Sequence, residues 1–75
     1  MRVAVELKGP LAAGRGEKQI TLEVPPRAIV RELLAELGLN EKHVGLLAIN
    51  SVKANLDSHL GEDDRLTVFP VVAGG

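Results

Sequence analysis

Val3, Val5 and Leu7 alternate with Arg2, Glu6 and Lys8. A period of two predicts a strand with one buried face. The alternation returns over Lys18–Val24, with Ile20, Leu22 and Val24 inward and Gln19, Thr21 and Glu23 outward. Between them, Gly9–Glu17 carries Gly9, Pro10, Gly14 and Gly16 and is expected to be a loop. The simplest pairing of two such strands is an antiparallel hairpin. Its loop is longer than a tight turn, so turn type does not set the register. Pro25-Pro26 ends the second strand, because proline has no N–H to give a ladder.

The period then changes. Val30, Leu33, Leu34 and Leu37 fall at i, i+3, i+4 and i+7, one face of a helix. Arg31, Glu32, Ala35 and Glu36 take the other face, and a wet face is the plain account of those charges. Gly38 suits the left-handed position after a helix, with Leu39 folding back as the apolar contact of a Schellman ending. No Ser, Thr, Asp or Asn precedes the run, and the start is placed near Arg27–Ala28.

Asn40–Val44 is polar connection. Gly45–Asn50 is short, apolar and strand-like. Its lack of alternation suggests cover on both faces, or a short strand against the helix. Asn50-Ser51 turns the chain into a short strand, Val52–Leu56. Leu60 is expected to close the core under an irregular segment. Gly61-Glu62-Asp63-Asp64 has turn chemistry. The final strand, Arg65–Phe69, sets Leu66 and Val68 against Thr67 and Phe69. One helix must therefore cover one face of a sheet built from all these strands. The expected fold class is α+β, a mixed sheet on one main helix in the β-grasp arrangement. The domain is expected to span residues 1–70, with a flexible tail over 71–75.

Composition narrows the function. At 75 residues the chain makes one small domain, and 45% apolar residues suffice for one core. Nine basic and ten acidic residues give a net charge of -1 with no basic patch, which argues against a nucleic-acid partner. Phe69 is the sole aromatic, so there is no stacking platform for single strands. No apolar run approaches the ~18 residues of a membrane span, and the N-terminal stretch is a strand rather than a signal peptide. Without cysteine there is no disulfide or thiolate metal site. A soluble cytoplasmic protein is expected.

The ending, Phe69-Pro70-Val71-Val72-Ala73-Gly74-Gly75, is where chemistry is expected. Gly74 and Gly75 add no side-chain volume and accept almost any φ/ψ, so such a tail threads a channel too narrow for side chains. The five residues Val71–Gly75 span roughly 17 Å when extended. The group at the tip is the Gly75 α-carboxylate. The bland alternative is a frayed end with no role.

Three features resemble one family. Ile-Val-Arg-Glu-Leu-Leu-Ala-Glu-Leu-Gly-Leu (29–39) is like its helix. Leu47-Ala48-Ile49-Asn50 is like its strand-and-turn. Gly61 through Gly75, an acidic turn, an alternating strand, Phe-Pro and terminal Gly-Gly, is like its ending. Together they resemble the ThiS/MoaD sulfur-carrier branch of the ubiquitin-like β-grasp proteins. Asn50-Ser51 stands where that family often has Asn-Gly, and Pro70-Val71 where it often has Pro-Pro. The ending looks most like the small subunit of molybdopterin synthase.

The resemblance implies a carrier rather than an enzyme. An adenylyltransferase of the ubiquitin-activating type would use ATP to make an acyl-adenylate at Gly75. A sulfur donor would displace AMP and leave a thiocarboxylate. A larger synthase subunit, of the molybdopterin-synthase or thiazole-synthase type, would receive the sulfur for a molybdopterin, tungstopterin or thiamine thiazole. No cofactor is expected on the chain itself. A different class is a ubiquitin-like modifier, or a tRNA-thiolation carrier, acting through Gly75. A β-grasp interaction module without tail chemistry is the third. Elementary chemistry agrees with activation by a partner. A terminal carboxylate with pKa near ~3.3–3.7 is ionised at neutral pH and is a poor electrophile, and the chain shows no nucleophile–base set.

Ala73 and Gly74 complete the tail. Phe69, Pro70, Val71 and Val72 are expected to meet the partner, because exposed aromatics mark interfaces; ordinary partial burial of Phe69 is the alternative. Leu47 or Ile49 joins this patch if the third strand faces outward there, which the pattern leaves open. His43 and His59 lie in connections without ligand spacing and are expected to be surface histidines, not a metal site. Glu62-Asp63-Asp64 is expected to be a solvated turn. Gly14-Arg15-Gly16 lacks the spacing and the Lys-Ser/Thr of a phosphate loop.

Overall fold

A computed structural model describes residues 1–12 and 17–71. Five strands form one sheet: β1 (Arg2–Lys8), β2 (Glu17–Glu23), β3 (Val44–Ile49), β4 (Val52–Ala54) and β5 (Arg65–Pro70), in the order β2-β1-β5-β3-β4. β1 and β5 run parallel, and the other neighbours are antiparallel. Among the described residues one α-helix, α1 (Val30–Glu36), covers one face. The first and last strands of the chain thus lie side by side at the centre, and the tail leaves from a central strand.

The alternation predicted from sequence is the burial pattern observed. Val3, Val5 and Leu7 of β1 are buried, as are Leu66 and Val68 of β5 and Val30, Leu33 and Leu34 of α1. Leu60 and Leu47 join the same core, and Leu37, Leu39 and Ile49 pack against it. Ile20 and Leu22 face the core but are only half-buried, because β2 is an edge strand.

The helix ends as expected. Gly38 has φ +73, its N–H donates to the Ala35 carbonyl, and the Leu39 N–H reaches back to Leu34, the two bonds of a Schellman ending. Its start differs. Arg27 has φ +72 and sits in a turn, so the helix begins at Val30, later than the Arg27–Ala28 expected. The physical reason is non-local. Val30 and Arg31 donate their N–H groups to the carbonyls of Ser58 and Leu56, and Leu60 donates to Ala28. The irregular segment before β5 therefore caps the helix. Glu32 accepts from the Ile29 N–H at 2.9 Å, the acidic half of a capping box whose other half isoleucine cannot supply.

Three smaller corrections follow from the same structure. The loop after β1 opens with a 3-10 turn, Gly9–Ala12. Another, Glu41–His43, occupies the polar connection, capped by the Asn40 side chain. β4 stops at Ala54 rather than Leu56, because a turn diverts the chain: the Asn55 N–H donates to Ser58 Oγ, and the Asn55 side-chain oxygen accepts from the Asp57 N–H.

The acidic turn is only partly a solvated one. Glu62 and Asp63 are exposed. The Asp64 carboxylate accepts from the Gly61 N–H at 2.7 Å and from Asn50 Nδ2 at 2.8 Å. The Asn50 side-chain oxygen in turn accepts from the Arg65 N–H at 3.0 Å. The two turns at this end of the sheet are thus tied together.

Candidate functional site

The tail root is built by three strand ends. β5 lies between β1 and β3, so its last residues have a neighbour on each side. On the β3 side, Val44 pairs with Pro70 but Leu46 pairs with Phe69. Two steps on β3 therefore match one step on β5. The extra residue is Gly45, and the irregularity is a β-bulge. The bulge explains why this stretch did not alternate. Val44, before it, packs toward the core; Leu46, two residues on, is 45% exposed on the opposite face.

Phe69 and Leu46 are cross-strand partners on the helix-free face, where Ala48 pairs with Thr67 and Lys53 follows on β4. These residues, with Ser51, line one shallow groove. Leu47 is buried, paired with Val68, and Ile49 packs on the core, so neither extends the patch. The residue that sequence reasoning missed is Leu46. Its signal was the glycine before it, since a glycine inside a strand often marks a bulge.

Pro70 is half-buried and Val71 is 54% exposed. The Val71 N–H donates to the His43 carbonyl at 3.1 Å, one rung beyond the strand. Pro10, Leu11, His43, Pro70 and Val71 line a second, apolar groove beside the exit. His43 and His59 are both exposed. Val72, Ala73, Gly74 and Gly75 lie outside the described residues, as does Gly14-Arg15-Gly16.

A shifted pKa lies away from the root, at Arg31. Asp57, by hydrogen bond and by charge, and then Glu41 hold the Arg31 guanidinium above its ordinary value. The raised value favours the charged form in the fold. Its contribution is therefore complete below the ordinary arginine range and is lost only as pH rises beyond it. It imposes no pH dependence near neutrality.

Among the described residues no helix is long and apolar enough to cross a membrane. The sheet order, the covering helix and the central exit strand define a ubiquitin-like β-grasp protein. The model of the ThiS family matches residues 5–75, and the chain belongs to that family of small sulfur-carrier proteins. No curated protein matches the sequence significantly. Among solved structures, SAMP1 from Haloferax volcanii superposes with a TM-score of 0.77 at 24% identity, covering 100% of both chains, and shares the fold. A candidate molybdopterin converting factor, subunit 1, from Pyrococcus furiosus has a TM-score of 0.68 at 26% identity, covering 96% of this chain and 99% of that one. A chain of the complex of subunits 1 and 2 of molybdopterin-converting factor from Helicobacter pylori has a TM-score of 0.65 at 28% identity, with 100% of both chains covered.

Proposed function

We propose that this protein carries sulfur on the C-terminal carboxylate of Gly75 for the dithiolene of molybdopterin or tungstopterin. The observation that carries the reading is the family match running through Gly75 on a domain whose central strand leads into that segment. The likeness to two molybdopterin-converting-factor structures favours this pathway over thiamine thiazole.

The chemistry is written in two displacements. A Gly75 carboxylate oxygen attacks the α-phosphorus of ATP, and pyrophosphate leaves. A sulfide-level sulfur nucleophile attacks the acyl carbon, the C–S bond forms, and AMP leaves with the C–O bonding pair. Both steps run on a partner adenylyltransferase of the ubiquitin-activating type, which supplies the ATP site. The carboxylate needs this activation because it is ionised at neutral pH. A larger synthase subunit then takes the thiocarboxylate, with Phe69, Pro70, Val71 and Val72 at the contact and Ala73 and Gly74 in its channel. Glycine lets the tail pass where a side chain would not. ATP and reduced sulfur assign the reaction to the cytoplasm.

Intact mass after incubation with ATP, a candidate adenylyltransferase and a sulfur source tests this. An oxygen-to-sulfur exchange confined to the chain with Gly75 present is expected. Deleting Gly75 should abolish it without changing the unfolding midpoint. Retained transfer after the deletion would refute the site. Loss of water with attachment to a lysine-bearing protein would establish the modifier reading instead. Transfer only with a thiazole-synthase-type subunit would establish the thiamine reading.

A further inference from the structure

We propose that Gly45 is a positioning residue for the tail: it lets Pro70–Val71 lie against β3, and so sets the point from which Gly75 reaches into a partner. The inference rests on the reading of Gly75 as the reacting group.

A Cβ at position 45 would stand 2.5 Å from the Pro70 carbonyl oxygen, 3.0 Å from its carbonyl carbon and 3.1 Å from the Val71 Cα. All three are backbone atoms, so none can swing aside as a side-chain tip would. Gly45 is not among the residues with positive φ. The position demands glycine for space, not for conformation. The bulge it makes falls at the rung where the chain leaves the sheet, and bulges re-aim a strand.

Two further contacts fix the same point. The Val71 N–H is held by the His43 carbonyl at 3.1 Å. On the other flank, the Pro70 ring lies 3.4 Å from where a Gly9 Cβ would be. Pro70 thus sits between two glycines, one just past the end of β1 and one in β3. With Val71 anchored, the reach to Gly75 is four residues, about 14 Å when extended. If Pro70 and Val71 lifted off β3, the pivot would retreat toward Phe69. The tail would be two residues longer and its direction unspecified. A reacting group delivered from a fixed pivot gains effective concentration, and a small misplacement costs up to ~100-fold in rate.

The test uses the full chain, two variants of the root and one control. Gly45→Ala should abolish the slow exchange of the Val71 amide while the Leu66 and Val68 amides remain protected. It should slow single-turnover adenylation by ~10- to 100-fold, with the half-saturating carrier concentration changed far less. The second variant inserts one glycine between Val71 and Val72 and leaves Gly45 intact. It should keep the Val71 protection yet also slow adenylation. Asn50→Ala, at the opposite end of β5, is the control for lost stability and should leave the rate unchanged. The proposal is overturned if Val71 stays protected in Gly45→Ala, or if protection is lost with no change in rate. It is overturned equally if the inserted glycine has no effect. If the unaltered chain is never adenylated, the functional reading falls, while the Val71 exchange still decides whether Gly45 anchors the root.

Discussion

Ser51 shows how a single residue carries a cost that its neighbours absorb. Ile49 pairs with Val52, so Asn50 and Ser51 are the two central residues of the β3–β4 hairpin. Their φ values are +51 and +70, as a type I′ turn requires. Asn50 tolerates this region and is bound to Asp64 and Arg65 through its side chain. Ser51 has no such compensation in the turn. A left-handed L-residue costs about 1–2 kcal/mol, and glycine returns about 0.5–1 kcal/mol of that as chain entropy. Ser51→Gly should therefore stabilise the fold by about 0.5–1 kcal/mol, seen as a higher urea midpoint at constant m-value. An unchanged or lower midpoint would show that the turn is relaxed as it stands.

At the scale of elements, α1 is seven residues long and too short to stand alone. It survives because its apolar stripe is buried and because Ser58 and Leu56 take the N–H groups of its first turn. Leu34 is fully buried at the centre of that stripe. Leu34→Ala should cost about 2–5 kcal/mol. At ~0.05–0.15 kcal/mol per residue a chain of this length has roughly 4–11 kcal/mol in all, so the variant should be marginal. Val52→Ala, on a residue 67% exposed at the β4 edge, should stay within about 0.5 kcal/mol. Thermal unfolding of the pair checks both. Equal losses would mean the helix does not anchor the core.

For the whole molecule, the Phe69–Leu46 pair and the exit of Val71 share one end of the sheet. A partner that grips the pair also stands beside Val71. Phe69→Ala should weaken binding to a synthase-type larger subunit by about 2 kcal/mol or more, with a smaller loss of folding stability because Phe69 is only half-buried. Calorimetric titration of the two subunits would show it. Unaltered affinity would assign Phe69 to packing alone.

Much of this arrangement is visible in the chain as written. The period-two runs placed Val3, Val5, Leu7, Leu66 and Val68 in the core, the period of β1 and β5 being a property of each strand by itself. The i, i+3, i+4 run gave the buried face of α1, and Gly38-Leu39 its ending, because both are set within a few residues of the backbone. The tertiary structure alone decided the rest. The helix start depends on carbonyls of Leu56 and Ser58, far along the chain. The outward turn of Leu46 depends on which strand runs beside Gly45 and on how closely Pro70 approaches it. Side-chain periodicity records the faces of an element, whereas register and remote capping arise only when distant segments meet.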